Sequence, residues 1–284
     1  MTRAVIDIGS NSVRLMIDRG LRLNPKKLAT TRLGGGLNLT GAIDCKAFDD
    51  SVKAVAEFYR EAVEAGAAVF IFATEAVRAA SNGRQFCDEI KRVTGSETDV
   101  IDGSTEALIA YIGAADDRGD YTVIDSGGAS TEITVGRDGR VLRSVSIKTG
   151  SVRLKSLGPD VCTAQYIDGL LADVPSPRGK VVAAGGTATA LAAADLRLPT
   201  YDPFKIHGHI VTADALARLI GEFAEGDITA RFPAVTPSRA EILPYGALLY
   251  QRLVARMSID GFTVSETDNC EGYLKYLDLC RRNG

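Results

Sequence analysis

An eight-residue pattern occurs twice in this chain, and it limits the fold more than any other feature. Val5-Ile6-Asp7-Ile8-Gly9-Ser10-Asn11-Ser12 returns as Val123-Ile124-Asp125-Ser126-Gly127-Gly128-Ala129-Ser130. Val, Ile, Asp, Gly and Ser hold the same relative positions, 118 residues apart (123 − 5). Each copy begins with a short β-branched run and leads into another, at 13–17 and at 131–135. An apolar run, a glycine-bearing turn and a second apolar run predict a hairpin.

The stretches downstream of the two copies agree as well. Residues 28–33 read as a third strand, and Phe48, Val52, Val55, Tyr59 and Ala62 form a helical stripe that Gly66 should terminate. A buried strand at 68–73, a helix at 84–93, a strand at 99–101 and a helix at 104–115 complete the first half. The second half gives three strands over 121–147, helical segments, a strand at 180–184 and a helix over 187–196. Polar, turn-rich residues 116–120 mark the boundary, so the expected domains are 1–117 and 118–284. Two meanders, each continued by βα units, predict an α/β protein of two similar lobes facing across a cleft. Ligands of such pairs usually occupy the cleft.

The chain of 284 residues suits two domains of ordinary size, and 45% hydrophobic with 24% charged residues excludes disordered and fibrous classes. A formal net charge of −3 weighs against a general nucleic-acid binder. The apolar runs at 69–74 and 107–115 fall short of the ~20 residues of a membrane span, so no membrane association is expected. No signal peptide is read either, because Arg3 and Asp7 flank a strand-like segment. Five scattered cysteines without a CxxC pair suggest reduced thiols in a cytoplasmic protein.

Glycines let backbone N–H groups approach an anion closely, and successive amides in a turn form a nest for it. The candidate phosphate-binding residues are therefore Gly9, Ser10, Asn11 and Ser12 in the first turn. Gly127, Gly128, Ala129, Ser130 and Thr131 form the second set. An aspartate before each turn, Asp7 or Asp125, could hold a hydrated Mg²⁺ bridging phosphate oxygens. A third turn, Gly185-Gly186-Thr187, opens a helix whose N-terminal amides favour anions. Thr187 could equally serve only as that helix's N-cap. His207 and His209 share a spacing that suits a metal, but no further ligand pattern accompanies them.

Here the residues carry a resemblance. The segments DIGSNSVRL (7–15), ATEAVRAASN (73–82), IDGSTEALIAY (101–111), DSGGASTE (125–132), GSVRL (150–154) and GGTATAL (185–191) occur in order. RLGGGLNLTG (32–41), HGHIVT (207–212) and SRAEILPYGALLY (238–250) support them. Together they resemble the exopolyphosphatase/guanosine pentaphosphate phosphatase family over nearly the whole chain. The resemblance implies the actin/sugar-kinase/Hsp70 (ribonuclease H-like) fold, a divalent cation such as Mg²⁺, and release of terminal phosphate from polyphosphate or pppGpp. It places the catalytic glutamate on Glu106, in the first turn of a helix whose dipole favours the carboxylate. An ionised carboxylate there can take a proton from the attacking water. The resemblance also implies metal binding at Asp125, a metal- or water-holding role for Glu132, and phosphate contact by Arg78. Arg14 and Arg153 are weaker candidates, and a homodimer is a further expectation.

Several positions depart from the family pattern. Ala129 stands where a third glycine is usual, and would be strained if the turn needs positive φ. Ser126 replaces an aliphatic residue, Cys270 replaces a common arginine, and residues 18–28 suggest a trimmed hairpin. The helical HD-like extension of long members does not follow the two lobes. The leading expectation is a polyphosphate phosphohydrolase. The alternatives are a pppGpp phosphatase, a non-catalytic sensor of alarmone or polyphosphate, and a small-metabolite kinase of the same superfold.

Overall fold

A computed structural model describes residues 2–116 and 118–283 of the chain. It groups them into two compact units, one of residues 1–106 with 269–284 and one of residues 107–268. The expected ranges 1–117 and 118–284 did not contain the return of the last helix to the first unit. Asp117, at the expected boundary, lies outside the described residues.

The first unit carries β1 (Arg3–Ile8), β2 (Ser12–Asp18), β3 (Lys26–Thr30), β4 (Ala68–Ala73) and β5 (Thr98–Val100), in the order β3-β2-β1-β4-β5. β1 pairs antiparallel with β2 and parallel with β4. Being central, β1 is buried from Ala4 to Ile8, which explains an apolar run broken only by Asp7. Helix Cys45–Glu64 covers part of the sheet, burying Ala54, Val55 and Ala62. Asp44 caps it by accepting from the amides of Lys46 and Ala47, a contact worth ~1 kcal/mol. Gly66, at φ +70°, takes the left-handed turn beyond its end, as the sequence predicts.

The second unit repeats the plan with β6 (Asp120–Ser126), β7 (Thr131–Arg137), β8 (Arg140–Ile147), β9 (Lys180–Ala184), β10 (Ile210–Thr212) and β11 (Gly261–Val264). Their order is β10-β11-β9-β6-β7-β8. β6 pairs antiparallel with β7 and parallel with β9, as β1 does with β2 and β4. Each meander therefore returns through a crossover to lay its fourth strand beside its first. The core of this unit packs around helix Gly186–Asp195, buried from Thr187 to Ala194, and helix Leu243–Met257. No helix of the described residues is long and apolar enough to cross a membrane.

Boundaries differ from expectation by a few residues. The third strand ends at Thr30 because Thr31 and Arg32 turn to donate to the Asn11 carbonyl at 3.1 and 2.9 Å. The short strand β5 lies one residue earlier than predicted, since Ile101 already donates to Ala73 beyond the paired register.

Candidate functional site

The two hairpin turns are built alike. The Gly9 amide donates to the Ser12 carbonyl at 3.1 Å, and the Gly127 amide to the Ser130 carbonyl at 3.0 Å. The sequence echo is thus an echo of backbone geometry.

Behind the first turn, the Gly34 amide donates to the Ser10 carbonyl at 2.8 Å. A Cβ on Gly34 would lie 3.1 Å from the Cβ of Ser10, so the glycine run 34–36 can pack against the turn closely. Asp7 is 1% exposed. Its Oδ2 accepts from Arg14 Nε at 2.9 Å and from Nη2 as well, across the Asp7–Arg14 register pair. Arg14 therefore neutralises the buried carboxylate, which a charge in such a place requires.

Helix Gly103–Ala114 begins in the same unit and continues into the second, and Glu106 stands in its first turn, on the first unit's side. Asp102 starts this helix, with Oδ1 accepting from the Thr105 amide and the Ser104 hydroxyl, each at 2.7 Å. These bonds, the Thr105 amide first, hold the Asp102 carboxyl at about 2. Glu106 lies 3.7 Å from Arg78 Nη2, and Arg78 Nη1 donates to the Ile101 carbonyl. Two residues expected to act together, 28 positions apart (106 − 78), thus meet. The nearby Gly83 is confined, because a Cβ there would fall 2.1 Å from the Val77 carbonyl oxygen.

The second turn rests on the next helix. The carbonyls of Gly127 and Gly128 accept from the amides of Ser151, Val152 and Arg153 at 3.3, 3.0 and 2.9 Å. Arg153 Nε also donates to the Ala129 carbonyl at 3.1 Å, so this arginine supports the turn. Among the described residues, the amides of Gly128 and Ala129 donate to no backbone carbonyl, and both residues are partly or fully exposed. The concern over Ala129 is removed. Non-glycine residues with left-handed backbone are Arg32, Asp138, Arg197 and Ser258 among those described, and Ala129 is not one.

Thr131 lies deeper than the sequence suggests. It is fully buried, its hydroxyl donates to the Thr149 carbonyl at 2.7 Å, and it lies 3.1 Å from Ser126 Oγ. The departure at Ser126 thus supplies a partner beneath the turn. Asp125 and Glu132 are directly opposite across β6 and β7, so their side chains share a face of the sheet. Glu132 also accepts from Ser146 Oγ at 2.7 Å. Tyr250, fully buried near this region, has a hydroxyl pushed upward first by burial and then by the charge of Asp125.

The third turn completes the second unit's grouping. Gly185 has φ +87°, and a Cβ there would meet Asp125 Oδ1 at 2.8 Å, so two constraints exclude a side chain. The helix it caps begins at Gly186 with no side-chain cap. Thr187 is therefore not the N-cap. It is buried, and its Cγ2 occupies the space left open by Gly246 on the facing helix.

Arg239 was not singled out as a functional residue from the sequence. Its Nη2 would lie 2.1 Å from a Cβ on Gly186, which seats the guanidinium directly over the helix N-terminus. The signal was present, because SRAEILPYGALLY was among the family-like segments; nothing in its spacing tied Arg239 to residue 186. The histidines are structural. His209 Nε2 lies 2.7 Å from Asp195 Oδ2, and the Glu266 amide donates to His207 Nδ1 at 3.2 Å.

Each unit gathers its own residues. Asp7, Arg14, Arg78 and Glu106 belong to the first, and Asp125, Glu132, Gly185, Gly186 and Arg239 to the second. A meander and crossover repeated around like-built glycine turns defines an α/β protein of the actin-like class. More particularly, residues 19–277 match the model of the Ppx/GppA phosphatase family, and the chain belongs to that family.

Exopolyphosphatase 2 of Mycobacterium tuberculosis (strain CDC 1551 / Oshkosh) is 32% identical over 310 aligned positions, covering 95% of this chain and 96% of that protein. A guanosine-5'-triphosphate,3'-diphosphate pyrophosphatase of Pseudoalteromonas translucida is 32% identical over 157 positions. That match covers 52% of this chain and 32% of that protein. The Ppx/GppA family member of Aquifex aeolicus superposes with a TM-score of 0.85 at 28% identity, covering 99% of this chain and 98% of that one.

Proposed function

We propose that this chain is a phosphohydrolase that releases terminal orthophosphate from inorganic polyphosphate. The observation that carries the reading is the Arg78–Glu106 pair, 3.7 Å apart in the first unit. It joins an acceptor for a water proton to a cation for phosphoryl oxygens. Polyphosphate is favoured over pppGpp because the exopolyphosphatase relative aligns over 96% of its length, whereas the pyrophosphatase relative aligns over 32% of its own.

In the reaction, the Glu106 carboxylate accepts a proton as water oxygen bonds to the terminal phosphorus. The bridging P–O bond breaks, leaving orthophosphate and a chain one unit shorter. Phosphoryl transfer depends on positioning and charge neutralisation rather than covalent help, so no protein nucleophile is invoked. Arg78 and Arg239 suit bidentate contact with phosphoryl oxygens. The amides of Gly128 and Ala129, which donate to no backbone carbonyl, suit neutral donation to phosphate oxygens.

Asp125 and Glu132 would hold a divalent cation. Their donor set fits Mg²⁺, which binds through one or two carboxylates and keeps waters and phosphate oxygens as its other ligands. Bound there, Mg²⁺ would supply charge neutralisation to the phosphate chain. Asp7 is a poorer ligand because its carboxylate already serves Arg14.

Asp125→Asn is expected to raise the Mg²⁺ concentration for half-maximal phosphate release about tenfold or more. Paramagnetic Mn²⁺ binding should weaken in parallel, and unchanged Mn²⁺ affinity would remove Asp125 from the site. Arg239→Ala should raise KM for polyphosphate on the order of 10- to 100-fold, the strength of a charge-assisted hydrogen bond. A KM equal to wild type would show that the guanidinium does not touch substrate. The substrate assignment is tested by measuring phosphate release from polyphosphate and pppGpp in parallel, with Mg²⁺. Faster release from pppGpp would overturn the polyphosphate preference.

A further inference from the structure

Arg78 has a second carboxylate partner that the hydrolytic reaction does not use. Glu75 stands three residues earlier, in the first turn of the five-residue helix Glu75–Ala79. Its Oε2 accepts directly from Arg78 Nη2, the same nitrogen that lies 3.7 Å from Glu106 Oε2. The distance to Glu106 is an ion-pair separation and exceeds hydrogen-bond length. Arg78 is thus held at two points, by the Ile101 carbonyl through Nη1 and by Glu75 through Nη2. Glu106 receives the charge of the guanidinium without its hydrogen bond.

The difference matters chemically. A carboxylate that accepts a guanidinium hydrogen bond is a weaker base, because the bond stabilises its ionised form. A glutamate meant to take a proton from water is therefore better served by a nearby cation bonded elsewhere. Guanidinium has five N–H donors, so engaging Ile101 and Glu75 still leaves Arg78 donors for phosphoryl oxygens. The Glu75 side chain is 64% exposed against 24% for Glu106. The hydrated outer carboxylate occupies the arginine, and the more enclosed one faces the chemistry. Glu75 also adds negative charge where an anionic substrate would arrive, so the same residue that favours turnover should oppose binding.

We propose that Glu75 is a positioning residue that keeps the Arg78 hydrogen bond off Glu106, so that Glu106 stays a stronger base than it would be with that bond, at some cost in substrate affinity. This rests on the hydrolase reading. Without Glu75, Arg78 Nη2 is released to close on Glu106.

The test compares wild type with Glu75→Gln and Glu75→Asp. It measures kcat for phosphate release from polyphosphate, and the Kd of an imido-bridged triphosphate with Mg²⁺. Glu75→Gln is expected to lower kcat about tenfold while tightening the imidotriphosphate Kd about threefold, the scale of one exposed charge pair. Glu75→Asp, which keeps the charge, should restore part of the turnover and loosen the Kd towards wild type. A purely structural role would move kcat without tightening binding, and that result overturns the proposal. So does Glu75→Gln behaving as wild type in both measurements. If wild type itself releases no phosphate, the hydrolase reading fails. The Kd comparison then still decides whether Glu75 opposes the anion, and an unchanged Kd overturns the proposal on its own.

Discussion

Glu106→Gln should lower kcat for phosphate release by about 10²- to 10⁴-fold, the range supplied by a positioned general base. Glutamine preserves the shape of the side chain and its place in the first helical turn. Its amide has no basic oxygen to take the water proton. The helix start should persist, because Asp102 rather than Glu106 caps it, through the Thr105 amide and the Ser104 hydroxyl. The melting temperature is therefore expected to stay near that of wild type. In the proposed reaction Glu106 acts on the water rather than on the phosphate chain, so KM should change far less than kcat. Steady-state kinetics on polyphosphate, with a melting curve on the same sample, checks both expectations. Retention of wild-type kcat would exclude Glu106 as the base.

Gly150→Ala should be strongly damaging although it adds only a methyl group. Its φ of −163° is open to any residue, so backbone strain is not the issue. The added Cβ would lie 2.6 Å from both the Gly127 carbonyl oxygen and the Gly128 carbonyl carbon. Both atoms are backbone and cannot rotate away as a side chain could. They also belong to the turn whose carbonyls accept from residues 151–153. Either the turn or the helix must shift, at ~1–3 kcal/mol for an overpacked position. A turn displaced by about 1 Å would lose roughly 10²-fold in kcat/KM. Gly169→Ala, in helix Ala164–Leu170 with nothing within 4 Å of the added carbon, is the matched control and should retain activity. Equal activity in the two variants would show that the second turn does not position substrate.

Much of the fold was legible because duplication doubles the signal. The repeated Val-Ile-Asp-x-Gly pattern located both hairpins, and the strands at 68–73 and 180–184 have the bounds predicted from their apolar runs. Helix Cys45–Glu64 was legible from its stripe and its terminal glycine. The division into units was not, because the last helix rejoins the first sheet through long-range contacts. Residue spacing does not encode which sheet a helix covers.

The site was legible in its residue types and less so in their tasks. Glu106 and Arg78 could be paired only through the family resemblance. Their approach depends on where the helices Glu75–Ala79 and Gly103–Ala114 begin. Thr131 looked like a surface donor because a Ser-Thr pair after a glycine turn resembles an anion nest. Its hydroxyl instead serves Thr149 beneath the turn. Glu75 and Arg239 carry no pattern of their own, and each acquires meaning from one distance or one crowded glycine.

The return of helix Asn269–Asn283 bears on how the chain can be made. Tyr273 stacks on Phe72 with ring centroids 4.5 Å apart, and its hydroxyl donates to Asp99 at 2.8 Å. Lys26 meets Glu271 at 2.8 Å, and Arg3 meets Asp278 at 2.7 Å. The sheet of residues 3–100 is therefore completed by residues translated only after the whole second unit. On the ribosome, residues 107–268 can close around their own core while the opening hundred residues still await the helix that covers them. The order of translation and the order of completion run in opposite directions.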